Sequence, residues 1–284
     1  MRLGLIGAGI QASRSPAMHL AEAAAHGLEA EYRLIDLDVL RVGVEALPSL
    51  LAEAQALGFS GVNITHPCKQ AVLPLLDEIS DDARALGAVN TVVLRGGRRA
   101  GHNTDWWAFR ESMREGLPGV RLDRVVQFGA GGAGAATAYA LLTMGARGLR
   151  IADVNHQRAV DLADAMRRVF GPDRVAAVET ATTLEGADGV VQATPVGMAS
   201  HPGTPFDPAL LHAGQWLAEL IYFPRETALL RAARQRGCTT LDGTGMAIDQ
   251  AVKAFELFTG IPADRDRMRR AFSEAAGGPV ARSL

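Results

Sequence analysis

The chain has 284 residues, 48% apolar and 21% charged, with a formal net charge of −2. That balance suits a packed protein with room for two domains, and with no basic stripe it argues against a nucleic-acid partner. No apolar run approaches the roughly 20 residues that span a bilayer. The start, MRLGLIG, lacks a signal peptide's long apolar core, and Cys68 and Cys238 fit no zinc or C-x-x-C pattern. A cytoplasmic protein with no bound metal is expected.

Residues 2–6 read as a strand. Gly7, Gly9 and Ala12 follow in a G-x-G-x-x-A turn, with Asp36 at a distance that suits a ribose-binding acid. Ser13-Arg14-Ser15-Pro16 comes at once after it. Pro16 fits the first turn of a helix and Ser15 its N-cap, so the helix starts near residue 15, too late for these glycines to lie against it. A helix over 15–26, a strand over 31–35, helical spacing over 44–57 and a strand over 59–64 come next. Residues 77–86 read as helical and 88–94 as a strand, with a Gly-Gly turn after it. This alternation predicts βαβ units and a mostly parallel sheet. Residues 105–115 form a connecting helix ended by Gly116 and Pro118.

A second series begins at Asp123. Residues 125–128 read as a buried strand, Gly129, Gly131 and Gly134 supply G-x-G-x-x-G, and an alanine-rich helix runs to Gly145. Strand, glycine turn and helix together present a dinucleotide pyrophosphate to a helix N-terminus. The strand 148–152 ends in Asp153, placed to accept hydrogen bonds from the adenosine ribose hydroxyls. A helix over 157–170, strands over 174–178, 189–193 and 215–220, a helix over 226–236 and a strand over 238–241 follow. The tail is helical from Gly245 to about residue 276, with a break at 260–262. A boundary near 106–120 separates two α/β units. Periodicity does not place the tail.

Several strand ends carry polar residues, where α/β sheets bind ligands. Thr65 and Lys69 follow one strand, and Asn103, Thr104 and Asp105 another. A lysine and an aspartate meeting in a closed cleft would form a proton-transfer pair. On spacing alone, Lys69 reads equally as a solvated helix residue and Asp105 as an N-cap. Asn90, polar in an apolar stretch, either binds substrate or ties down a loop. Ser13 and Ser15 suit a carboxylate ligand at a helix start, or simple capping. Thr194 and Met198 follow a strand on the same edge as the glycine loop, and Gly245 and Gln250 open the tail helix; Met198 and Met246 also read as core filling.

Taken together and in order, SRSPAMH, NITHPCK, GAVNT, GHNTD, FGAGGAG, QATPVGM, IYFPRET and GTGMAIDQA resemble the shikimate dehydrogenase family over about residues 4–260. The resemblance is greatest to its NAD-linked quinate/shikimate members. It implies two α/β domains with a cleft between them. Residues 1–106 with 242–284 would bind the hydroxy acid, with the C-terminal helices packing back on the first domain. Residues 107–241 would be a Rossmann-type domain for the cofactor. Carried over residue by residue, Lys69 and Asp105 become the catalytic pair. Ser13 and Ser15 become carboxylate ligands, Thr65, Asn90 and Gln250 hydroxyl ligands, and Tyr222 a pocket residue. Gly129, Ala130, Gly131, Gly132, Ala133, Gly134, Asp153, Thr194, Met198 and Gly245 would lie at the cofactor. The expected activity is hydride transfer at C3 of shikimate or quinate, in a monomer or homodimer, without a metal.

The chain departs from the family pattern at several positions. Gly9 stands where many members have Pro, Gln192 where Asn is usual, and Glu219 where Asp is common. Ala108 replaces a Gly beside the unusual pair Trp106-Trp107, which either shapes the pocket entrance or packs. NADP-linked members usually have an Asn-Arg-Thr run where this chain has Asp153-Val154-Asn155-His156. A carboxylate about 4 Å from a 2′-phosphate costs on the order of 1–4 kcal/mol, so Asp153 predicts NAD. Ser15 leans toward shikimate, and the NAD signature toward quinate as well. An amino analogue of either is an alternative substrate. A silent NAD-binding regulator would have no reason to keep both Lys69 and Asp105. A folate-linked methylene dehydrogenase would not need the Ser13, Ser15 and Asn90 pattern.

Overall fold

The computed structural model describes residues 1–179 and 184–275. The chain divides into two compact units: residues 1–104 with the chain from Ile248 onward, and residues 105–247. Among the described residues, no helix is long and apolar enough to cross a membrane. The tail helix expected to run to about residue 276 leaves the described residues at its last position.

The first unit is built on β1 (Arg2–Gly7), buried along nearly its whole length. It pairs in parallel with β2 (Glu31–Asp36) on one side and β3 (Phe59–Ile64) on the other. Beyond β3 lie β5 (Thr91–Arg95), β6 (Arg98–His102) and the two-residue β4 (Glu78–Ile79), giving the order β2-β1-β3-β5-β6-β4. Three of the five pairings are parallel; β3–β5 and β5–β6 are antiparallel. Gly96 and Gly97, both at positive φ, turn the β5–β6 hairpin, a conformation that side-chain-bearing residues resist. The sequence did not announce β4 or β6, and the piece read as helical over 77–86 divides into β4 and α5 (Asp81–Leu86). The strand read from residue 88 starts only at Thr91. Helices α1 (Ser15–Ala25), α2 (Leu37–Leu40), α3 (Leu47–Ala56) and α4 (Cys68–Ala71) complete this part.

The second unit opens with α6 (Asp105–Gly116) and runs β7 (Arg124–Phe128), α7 (Gly132–Thr143), β8 (Gly148–Ala152), α8 (His156–Phe170), β9 (Val175–Ala177), β10 (Gly189–Gln192), β11 (Trp216–Glu219), α9 (Ala228–Gln235) and β12 (Thr239–Leu241). Every pairing is parallel, in the order β12-β11-β10-β7-β8-β9. A parallel sheet covered on both faces needs apolar side chains on both. Val125 of β7 accordingly joins one core with Leu141, Ile151 and Met166, while Val126 and Phe128 join another with Leu217 and Leu230.

Two helices end the described chain, α10 (Thr244–Thr259) and α11 (Arg265–Glu274). From Ile248 on they belong with the first unit. Phe258 of α10 packs over β3, where a Cβ on Gly61 would come within 2.3 Å of its ring, so glycine permits the close approach. The buried Asp249 carboxylate is held by the Arg265 guanidinium through two nitrogens. Buried Glu22 of α1 accepts from Arg267 (2.9 Å) and from the Asp264 amide (2.8 Å), and Arg14 stacks on the Phe272 ring at 4.6 Å. Removing Arg267 takes a charge-assisted bond from a buried carboxylate. Arg267→Ala is expected to destabilise the first unit by about 1.5–3 kcal/mol. The check is a lower urea midpoint with an unchanged slope.

Candidate active site

In open α/β sheets, ligands bind beyond the carboxyl ends of strands where the strand order reverses. Each unit has such a point. In the first, the chain leaves β1 for β2 on one side and later places β3 on the other. The segments after β1 and β3 therefore share one edge, which brings Ser13 and Ser15 to the same end of the sheet as Thr65 and Lys69. Because β5 runs antiparallel to β3, with Asn63 opposite Thr91, its start delivers Asn90 to this edge too. The end of β6, His102 opposite Thr91, delivers Asn103 and Thr104.

A chain of hydrogen bonds runs beneath these residues. The Ser15 hydroxyl bonds the Tyr32 phenol, whose ionisation burial strongly disfavours. Tyr32 donates to Asn63 Oδ1 (2.9 Å), and Asn63 donates to Thr91 Oγ1 (3.3 Å). Thr91 donates to Asn90 Oδ1 (3.0 Å), which also accepts the Thr104 amide (2.8 Å). Asn90 Nδ2 donates to Thr104 Oγ1 (2.9 Å), and Thr104 Oγ1 donates to the Gln250 carbonyl (3.2 Å). Asn63, Asn90, Thr91 and Thr104 are all buried. Buried polar groups linked in this way fix one another's orientation. These bonds join Asn90 to the segment after β6. Ser15, by contrast, is the first residue of α1 and not its cap: the Ser13 hydroxyl accepts the Ser15 amide (3.3 Å), and no side chain caps the helix from Arg14. Lys69 lies half-buried in α4, where its carbonyl accepts the Val89 amide (2.9 Å).

The rival glycine turn after β1 is closed from within. The buried carboxylate of Asp36 accepts from the amides of Gly9 and Ile10 (both 3.0 Å), from Gln11 Nε2 (2.9 Å) and from the Asp38 amide (3.1 Å). Burial by itself would raise this carboxyl, but the bond from Gln11 and the amides of Asp38, Ile10 and Gly9 outweigh it and hold it below the usual carboxylate range. A phosphate brought to these amides would meet a fixed anion.

In the second unit, β7 and β10 flank the reversal. Gly129 takes φ +102° directly after β7, and a Cβ on it would lie 2.7 Å from the Ala193 backbone. At Gly134 a Cβ would fall 2.2 Å from the Gly129 carbonyl oxygen, so only glycine lets α7 start this close to the turn. Gly131 and Gly132 are exposed, with nothing within 4 Å of a Cβ built on either. They begin α7, which has no acid in its first turn. The turn is anchored by buried Gln127, whose amide donates to the Gly129 (2.9 Å) and Gly134 (2.8 Å) carbonyls and whose Oε1 accepts from Thr137 (2.8 Å). Asp153, at the end of β8, accepts from the Ala130 amide (2.8 Å) and the Asn155 amide (2.9 Å).

Beyond β10, Thr194 is half-buried and Met198 is 41% exposed, so Met198 does not fill the core, whereas Met246 packs against it. Gly245 lies in the first turn of α10. Tyr222 is 39% exposed and belongs to the second unit. Asp105 is buried as the first residue of α6, and Trp106 packs edge-on against Tyr139 at 5.2 Å. Among the described residues no cluster of His, Cys, Asp or Glu could hold a metal ion. The sequence reading passed over Gln127 and Tyr32. Gln127 is a polar residue within the apolar run of β7, and that signal marks it.

Two family models match the chain, the shikimate dehydrogenase substrate binding domain over residues 5–92 and the shikimate 5′-dehydrogenase C-terminal domain over residues 243–271. A shikimate dehydrogenase (NADP(+)) of Streptomyces avermitilis is 55% identical, over 99% of this chain and 97% of that one. A quinate/shikimate dehydrogenase (NAD(+)) of Corynebacterium glutamicum is 53% identical, over 95% and 97%. The solved quinate dehydrogenase from Corynebacterium glutamicum in complex with NAD superposes with a TM-score of 0.93 at 52% identity, covering 96% of this chain and 99% of that one. Identity of this extent over nearly the full length, on a matching pair of α/β units, makes the chain a member of the shikimate dehydrogenase family.

Proposed function

We propose that this protein is an NAD-dependent dehydrogenase that interconverts shikimate with 3-dehydroshikimate and quinate with 3-dehydroquinate. The observation that carries a dinucleotide in the second unit is the open space over Gly131 and Gly132 at the start of an acid-free helix, beside an aspartate held at the end of β8. Backbone amides and the helix dipole at that place favour a pyrophosphate. The polar edge of the first unit suits a small polyhydroxy acid, and its relatives' names carry such substrates.

Bound there, the nicotinamide cofactor supplies the hydride acceptor. Ser13 and Ser15, at the start of α1, hold the substrate carboxylate, where helix amides favour an anion. Thr65, Asn90 and Gln250 bind ring hydroxyls, and Tyr222 is a residue of the substrate pocket. Lys69 Nζ accepts the proton of the C3 hydroxyl as hydride leaves C3, so two electrons and two protons leave the substrate in all and a ketone remains. Asp105 orients Lys69 and that hydroxyl. Gly129, Ala130, Gly131, Gly132, Ala133 and Gly134 cradle the pyrophosphate, Asp153 takes the adenosine ribose, and Thr194, Met198 and Gly245 line the rest of the cofactor site.

Asp153 supports NAD over NADP. Both of its oxygens are fastened by backbone amides, which keeps the charge in place against a 2′-phosphate. The residues that follow, Val154, Asn155 and His156, include no arginine to pair with one. Ser15, a small hydroxyl at the carboxylate position, supports shikimate alongside quinate.

Reduction of NAD and of NADP, assayed with shikimate, quinate and their amino analogues, is expected to be fastest with NAD and the first two acids. Activity with none of them overturns the assignment. Lys69→Ala should lower kcat about 10²–10⁴-fold while NADH binding, followed by fluorescence, changes little; near-normal kcat removes Lys69 from its role. Asp153→Ala should weaken NAD and lower the ratio of kcat/KM for NAD over NADP, by an amount on the order of 1–4 kcal/mol. An unchanged ratio would sink the cofactor choice.

A further inference from the structure

One buried carboxyl in the second unit has no part in the reaction described so far. Glu219, the last residue of β11, is 2% exposed and stands opposite Gln192, the last residue of β10. Its Oε2 accepts from the Thr227 hydroxyl at 2.5 Å, and that hydroxyl in turn accepts the Leu230 amide (3.1 Å) as the N-cap of α9. Its Oε1 is buried without a hydrogen-bond partner. A Cβ on Gly197, which takes φ +118°, would lie 3.5 Å from that oxygen, so Oε1 faces the backbone of the segment 194–198.

Gln192 gives this segment its shape. Its Nε2 donates to the carbonyls of Thr194 (3.3 Å) and Val196 (2.7 Å), and its Oε1 accepts the Thr194 amide (2.9 Å). The segment also adjoins the glycine turn, since a Cβ on Gly129 would lie 3.1 Å from Thr194 Cγ2. The shape of residues 194–198 therefore bears on the cofactor.

We propose that Glu219 is a positioning residue for the cofactor: in its protonated form it leaves the Gln192 amide to the Thr194 and Val196 carbonyls, and in its ionised form it draws that amide away and loosens the segment 194–198. The proposal rests on the assignment of a nicotinamide cofactor to this unit. A neutral carboxyl tolerates one unpaired buried oxygen far better than a carboxylate does. An ionised Glu219 has one side-chain donor already, Thr227, and Gln192 Nε2 is the next one facing it.

The charged group that acts on Glu219 is Asp242, which follows β12, and it disfavours ionisation. The neighbours from β10, from the cap of α9 and from the segment itself are the uncharged Gln192, Thr227 and Gly197. Burial, opposed by the bond from Thr227 and by the nearby Gln192 amide and aided by Asp242, raises the carboxyl to about 7. The protonated form thus prevails below neutrality and is lost as the pH rises through that value.

The test is NADH binding to the whole enzyme by fluorescence, from about pH 6 to about pH 8.5. NADH is the probe because it lacks the 2′-phosphate of NADPH, a group of the kind that titrates near 6. The wild type should bind roughly three- to tenfold more weakly at the upper end, with a midpoint near 7. Glu219→Gln, neutral throughout, should give a flat profile at the low-pH affinity. Thr227→Val removes a bond that favours ionisation and should move the midpoint upward. A wild-type midpoint that persists in Glu219→Gln overturns the proposal, and so does a midpoint unmoved in Thr227→Val, which decides the matter if the glutamine variant does not fold. A wild-type affinity flat across the range also overturns it, while leaving the dehydrogenase assignment standing. NADH bound at no pH overturns both.

Discussion

A parallel strand cannot return by a tight turn, so each crossover must carry its chain to the far end of the sheet before the next strand begins. When successive crossovers leave a central strand on opposite sides, the segments just after two neighbouring strands diverge and leave an opening at their carboxyl ends. This holds at β1 and β3 in one sheet and at β7 and β10 in the other. The candidate site residues after β1, β3, β7 and β10 sit at those two places, where the diverging segments leave an opening. The apolar runs within the strands fill the layers on the faces of each sheet.

The two openings use similar local chemistry for different ends. After β1 and after β7 alike, a glycine turn bends toward an aspartate at the end of the next strand. Asp36 collects four donors and seals its turn, which leaves the segment rigid as it leads to Ser13 and Ser15. Asp153 takes two backbone donors, one from the turn itself, and the start of α7 stays exposed. Beneath each opening a buried amide does the fastening: Gln127 clasps the turn after β7, and Asn90 clasps Thr104 at the end of β6. An unpaired buried amide would cost more than the bond gains, so each clasp is fixed wholly or not at all.

Regular alternation made the second unit readable almost strand by strand, since its sheet is a uniform series of parallel βα steps. The first unit was harder beyond β3. Residues 98–102, RRAGH, lack an apolar stripe, and β4 has only two residues, so neither announces a strand. Their pairing is set by neighbours distant in sequence. The same reason hid the place of α10 and α11, because Glu22 and Arg267 meet across 245 positions and no local pattern encodes that contact. The glycine turn, Asp153 and the polar strand ends were legible because each has a local mechanism. Tyr32 was not, since its neighbours Ser15 and Asn63 become neighbours only when β2 and β3 flank β1.

The bond between Glu22 and Arg267 also orders events in time. A ribosome delivers the whole of residues 105–247 before it delivers Arg265 or Arg267, so the second unit can complete its core while the first still lacks α11. The first unit must keep its opening strands waiting, with the buried faces of α1 and β3 uncovered, until the last helices emerge. Domains generally fold as units as they leave the ribosome, and exposed apolar faces invite aggregation in the interval. In this protein that interval is longest for the half of the chain synthesised first.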